Sequence, residues 1–218
     1  MMKLKSKPKS AFVQSLSGMT LSIITVIGLS PLVLAVPAKV SLQPQKLAQF
    51  SDTDTPERSQ LLQQANALYN QGDLTGAEGN LRKFIKKSPE DAFAHFQLGN
   101  VLFRQKKPEE AISSYREAIR LQPKYAIAYN AIGIVYASQT RWEEAITEYQ
   151  KALEINPNYG EALTNFALGL WQTNKRDEAL SSLQKALNIF KAQNRDEKVK
   201  QVERIMREIK TADQSGIS

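Results

Sequence analysis

Apolar residues fall into three regimes along the chain. From Ser10 to Ala38 there is no charge at all, and Leu21 to Leu34 (LSIITVIGLSPLVL) is strongly apolar. Residues 39–57 are polar, interrupted by Pro44 and Pro56, and keep no period, so they read as a linker. Beyond them the apolar positions recur at helical spacing. In 126–159, Tyr129, Ile132, Gly133 and Tyr136 mark one face of a first helix, and Ala145, Ile146, Tyr149, Ala152 and Leu153 mark a second. Thr55 before Pro56 and Glu57 predicts that the first helix begins there.

The helical pattern itself repeats with a step of 34 residues. Pro89, Pro123 and Pro157 obey it, as do Ala77, Ala111, Ala145 and Ala179. Ala65, Gly99, Gly133 and Ala167 form a small-residue column; Leu81, Tyr115, Tyr149 and Leu183 form a large one. Four units therefore tile 58–91, 92–125, 126–159 and 160–193 without insertion. Each holds two helical patterns separated by a break: Gln71-Gly72-Asp73, Lys106-Lys107-Pro108, Gln139-Thr140-Arg141 and Asn174-Lys175-Arg176. Small positions let paired helices approach closely, and proline stops the second helix. One such pair cannot bury its own apolar face, so neighbouring pairs must stack.

In this register, Leu98-Gly99, Leu102, Ala111, Tyr115, Ala118 and Pro123, followed by Ile132-Gly133, Tyr136, Ala145, Tyr149, Ala152 and Pro157, resemble tetratricopeptide repeats. The resemblance covers 58–193 and implies an all-α fold, a right-handed α-solenoid of four helix-turn-helix units. The first unit departs at Gln64 and Gly79, and the fourth carries Lys191 in place of the proline, as befits edge repeats. After it, Val199, Val202, Ile205, Met206 and Ile209 form a further stripe. We read 194–210 as a C-terminal capping helix, with docking of a partner or pairing with a second copy as the alternative, and 211–218 as a loose tail.

The resemblance also implies a concave groove lined by first helices, where a protein or peptide partner would sit. The residues facing it would be Asn66, Tyr69 and Asn70 in the first unit, and Phe93, Phe96, Gln97, Asn100, Phe103 and Arg104 in the second. Ile127, Asn130, Ile134 and Ser138 follow in the third, then Thr164, Asn165, Leu168, Trp171 and Gln172 in the fourth. Aromatics are favoured interface anchors, and amides can bond a partner's backbone whatever its sequence. The competing reading packs Phe93, Phe96 and Phe103 against adjacent units or the linker. Members of the family that clamp chaperone carboxylates use several cations; here Arg104 is the main one, and Phe96, Asn130 and Thr164 stand where others would be needed.

Charge sharpens the N-terminal reading. Lys3, Lys5, Lys7 and Lys9 precede the apolar stretch, and no acid occurs before Asp52. A basic start, an apolar run and small residues describe a secretory signal, cleaved after Ala35 or Ala38. An uncleaved anchor competes, since 19–38 is long enough to span a bilayer, though Gly28, Pro31 and Pro37 interrupt it. Either way the remainder is expected across a membrane, in a periplasm or equivalent lumen. An organelle transit peptide fits less well, because the first arginine is Arg58.

The whole chain carries 29 basic and 22 acidic residues, net +7. Without residues 1–38, 25 basic residues face 22 acidic ones, and +3 describes no phosphate-binding surface, so nucleic acid is not expected as a partner. A membrane-anchored scaffold using Lys86, Lys87, Lys106 and Lys107 together with the C-terminal helix at the lipid surface is the alternative function, and an enzyme accessory subunit is a more remote one. Without cysteine, and with His95 as its sole histidine, the chain offers no thiolate zinc site, multi-histidine metal site or cysteine nucleophile. His95 shares its column with Leu61, Tyr129 and Leu163 and reads as a packing residue. Glu109-Glu110, Glu143-Glu144 and Asp177-Glu178 open second helices, where the helix dipole favours acids. No catalytic set, metal or cofactor is expected, and the chain reads as a non-catalytic adaptor.

Overall fold

The computed structural model describes residues 56–214, and those residues form nine helices and no strand. In chain order they are α1 (Pro56–Gln71), α2 (Leu74–Lys87), α3 (Ala92–Arg104), α4 (Pro108–Leu121), α5 (Ala126–Ser138), α6 (Trp142–Ile155), α7 (Gly160–Gln172), α8 (Arg176–Ala192) and α9 (Asp196–Gln214). The N-terminal segment and the linker to Thr55 lie outside the described residues.

Capping explains several starts. Asp73 accepts from the Gly76 N–H at 2.9 Å ahead of α2, and Asp91 accepts from Ala94 at 2.8 Å ahead of α3. Pro108 opens α4, where a missing N–H costs nothing. The turn inside each pair holds one residue in the left-handed region: Gly72 (φ 89°), Lys106 (61°), Thr140 (60°) and Asn174 (61°). These four keep the 34-residue step, and Asn194 (53°) does the same work before α9.

Each pair closes on the small-residue column. Gly99 and Tyr115 show why that column stays small: a Cβ on Gly99 would stand 2.5 Å from the Tyr115 ring. One on Gly133 would overlap the Tyr149 ring in the same way. Ala77, Ala111, Ala145 and Ala179 are all completely buried. Contacts run from each second helix to the first helix of the next pair, so the pairs stack in chain order as an α-solenoid.

α9 packs on α8 through Val202, Ile205 and Ile209, all buried. Lys191 on α8 meets Glu203 at 3.7 Å, and Arg176 Nε donates to the Ile209 carbonyl at 3.3 Å. The helix runs on to Gln214, so residues 211–214 are helical where a loose tail is expected. Thr211 Oγ1 bonds back to the Arg207 and Glu208 carbonyls at 3.1 Å, adding two contacts to the last turn.

Candidate functional site

The first helices α1, α3, α5 and α7 present the residues on which the groove reading rests. Two bonded groups join them across repeats. In the first, the Tyr115 hydroxyl donates to Asn100 Oδ1 at 2.8 Å, Asn100 Nδ2 to Gln97 Oε1 at 2.9 Å, and Gln97 Nε2 to Asn66 Oδ1 at 2.9 Å. This relay runs from the inside of the second pair to α1. In the second, Asn165 Nδ2 donates to Asn130 Oδ1 at 3.1 Å, joining α7 to α5.

Arg104 is spent similarly. Its Nη1 donates to the Tyr69 carbonyl at 2.9 Å, while its guanidinium carbon lies 4.4 Å from the Tyr69 ring centroid. A guanidinium over an aromatic ring is attracted by the negative face of the ring.

These contacts correct the sequence reading. Asn100, Asn130 and Asn165 are buried, as is Thr164, whose hydroxyl bonds the Gly160 carbonyl at 2.9 Å. Of the amides expected to grip a partner's backbone, Asn66, Gln97, Asn100, Asn130 and Asn165 instead tie the repeats together, while Asn70 is exposed and Gln172 half-buried. Phe96 is a core residue, only 2% exposed, with its ring 5.6 Å from Tyr115 and 5.3 Å from Tyr125. Ile134 and Leu168 are buried as well. The first helix of a stacked pair has neighbours on two sides, so apolar residues opposite the pairing face fill the joint to the next repeat.

What remains partly open on these helices mixes apolar and polar side chains. Phe93, Phe103, Ile127 and Trp171 are each half-buried, with Asn66, Tyr69 and Gln97 beside them; Asn70, Ser138 and Arg104 are exposed. The face therefore offers aromatic and aliphatic side chains with one exposed cation, Arg104, among the positions singled out from sequence.

The lysines considered for a lipid surface, and Arg82 near them, are partly neutralised. Lys87 meets Glu57 at 2.6 Å, Lys107 meets Glu78 at 3.3 Å, and Arg82 meets Glu78 at 2.7 Å. Burial alone would raise the Glu78 carboxyl; hydrogen bonds from Arg82, Gln105 and Lys107 outweigh it and hold the group below its ordinary value. Among the described residues no three His, Cys, Asp or Glu side chains gather to hold a metal, and no helix is long and apolar enough to cross a membrane.

Comparison with known proteins decides the family. Two tetratricopeptide repeat profiles match, over residues 62–126 and 124–192, together more than half of the chain. The chain belongs to the tetratricopeptide repeat family. The resemblance read from the 34-residue columns and the all-α solenoid are both borne out. A crystal structure of MamA superposes with a TM-score of 0.58 at 29% identity, covering 63% of this chain and 81% of that one. The first repeat domain of Spaghetti (RPAP3), bound to the HSP90 peptide SRMEEVD, gives 0.52 at 25% identity, covering 56% and 96%. PilF of Pseudomonas aeruginosa shares the fold, with 0.56 at 21% identity over 69% and 75%. No curated protein matches the sequence.

Proposed function

We propose that this tetratricopeptide repeat protein is a non-catalytic adaptor. It takes an apolar or amphipathic segment of a partner protein, a peptide or a helix, on the face made by α1, α3, α5 and α7. The observation that carries the reading is the division of labour on that face. Asn66, Gln97 and Asn100 are bonded in one group and Asn130 and Asn165 in another, with Asn66 Nδ2 left without a hydrogen-bond partner among the described residues, while Phe93, Phe103, Ile127 and Trp171 remain as half-open apolar surface beside them. Interface energy concentrates in such aromatic anchors, and polar neighbours bonded within the protein have fewer water contacts to lose when a partner arrives. The RPAP3 domain, solved with its HSP90 peptide, supports peptide recognition on this architecture. In this chain Arg104 stands without a second cation beside it among the predicted groove positions, so the segment is not expected to be held by its terminal carboxylate.

Export is part of the proposal. Its support is the sequence of residues 1–38: four lysines, then an uncharged apolar run ending in small residues. Intact mass of the protein from its native host tests this part, with a product beginning at Val36 or Lys39 expected. A full-length mass, together with fractionation into the cytoplasm, would contradict it.

Crosslinked capture from the same host tests the adaptor reading. Wild type is compared with Phe103→Glu/Trp171→Glu, after circular dichroism shows that the variant is folded. A partner held by wild type and lost from the variant is the expected result. Equal capture by both would move the site off this face.

A further inference from the structure

The other side of the first two pairs holds a cleft of about 480 Å³ between α2 and α4, with α3 as its floor. Its size falls in the range of small-ligand sites, roughly 300–1,000 Å³. Ile85 and Leu98 give it an apolar base, while Lys86, His95 and Ser113 stand around it.

Repeat register shows why the cleft opens here. Thirty-four residues on, His95 is replaced by Tyr129, Ser114 by Glu148 and Glu117 by Lys151. At that joint the Lys151 ammonium lies 5.9 Å from the Tyr129 ring centroid and bonds Glu148 at 2.9 Å. Between the first two pairs the smaller imidazole and a serine stand in those places. Ser114 turns its hydroxyl away, onto the Glu110 carbonyl at 3.0 Å.

The charges around the cleft are unevenly committed. Glu117, its one lining acid, is clamped by Arg120, which bonds both carboxylate oxygens at 2.7–3.1 Å. Arg82 Nε is held by Glu78 at 2.7 Å, while its Nη2 reaches Glu110 only at 3.8 Å. Lys86 and Ser113, both exposed at the rim of the cleft, have no hydrogen-bond or ion-pair partner among the described residues. His95 Nε2 lies 2.9 Å from the Pro89 carbonyl. A carbonyl can only accept, so Nε2 carries the hydrogen and the ring is held in place.

We propose that this cleft binds an oxyanion carried on a short apolar group. Lys86 and Ser113 supply the uncommitted donors, and Ile85 and Leu98 receive the stem. A carboxylate and a phosphate share this chemistry. The site lies apart from the first-helix face and does not depend on the adaptor reading.

The full chain has a built-in reporter, because His95 is its sole histidine and its imidazole proton signals need no assignment. Hexanoate and butyl phosphate are titrated separately at fixed pH, with sodium chloride matching ionic strength. Saturable movement of the His95 signals by either probe is expected, and the probe that saturates names the anion. Lys86→Ala should weaken that binding by about tenfold, the scale of one charge-assisted hydrogen bond. His95→Tyr installs the residue of the next joint and should abolish binding measured by calorimetry, with its thermal melt showing that it is folded. If neither probe moves the His95 signals beyond the chloride control, or if Lys86→Ala binds as wild type does, the proposal is overturned.

Discussion

The Tyr115 hydroxyl and Asn100 Oδ1 meet at 2.8 Å in the interior of the second pair, and the bond begins the amide relay that reaches α1. Tyr149 occupies the same register one repeat later, but Ile134 stands where Asn100 would be. Its hydroxyl is buried without a hydrogen-bond partner among the described residues. Burial pushes both phenols far up, so both stay neutral at ordinary pH. Tyr115→Phe should therefore cost about 1 kcal/mol, since it strips an acceptor of its donor. Tyr149→Phe should cost nothing or stabilise. Denaturant unfolding of the two variants checks the contrast, and equal losses would show that the phenols are equivalently bonded.

Thr140 adopts a left-handed conformation that a β-branched residue tolerates poorly, in the register where the first turn has Gly72. Thr140→Gly should raise stability by about 1 kcal/mol, because relief of that strain exceeds the entropy glycine adds to the unfolded chain. Among the described residues the Thr140 hydroxyl bonds only its neighbour's carbonyl, Gln139, at 2.6 Å. A lower melting temperature for the variant would place the strain elsewhere.

Two glycines should respond oppositely to a methyl group. Gly99→Ala drives a Cβ into the Tyr115 ring and should cost about 1–3 kcal/mol. Gly79, exposed inside α2, has nothing within 4 Å of a Cβ, so Gly79→Ala should gain about 0.5–1 kcal/mol from helix propensity. Thermal melts of both decide it: a Gly99→Ala variant as stable as wild type would contradict the close approach of α3 and α4, and a destabilised Gly79→Ala would contradict the open surface at that position.

Glu78 sets a pH dependence. Its carboxyl is held below the ordinary 4.5 by bonds from Arg82, Gln105 and Lys107, against the opposing effect of burial. A depressed carboxyl contributes stability that is present above its unfolded value and lost as pH falls through the folded one. Wild type should melt above Glu78→Gln at neutral pH, and the gap should close as pH drops below about 4.5. A gap constant with pH would assign the difference to packing alone.

The 34-residue columns made the repeats legible because packing repeats with them: the same small residue meets the same large one in successive pairs. The surface was harder to read. Periodicity separates the two sides of a helix, but α3 is covered by its own partner and by the next pair, so Phe96 looked like a groove residue and is core. Phe93 and Phe103, read by the same rule, stay half-open. The relay through Asn66, Gln97 and Asn100 was likewise hidden, since an amide's type does not say whether its partner is outside or in the next repeat. Of the left-handed turn residues, only Gly72, Asn174 and Asn194 are types that advertise the conformation; Lys106 and Thr140 adopt it because the hairpin demands it.

The central claim is that a partner docks on the face of α1, α3, α5 and α7. Site-specific photocrosslinking in the native host tests it most directly, with the photoreactive residue placed at Phe93 or Phe103, or at exposed Gln150 on α6 as the contrasting position. The account predicts a shared adduct from positions 93 and 103 and none from 150. An adduct from 150 alone, with the other two silent, would contradict it.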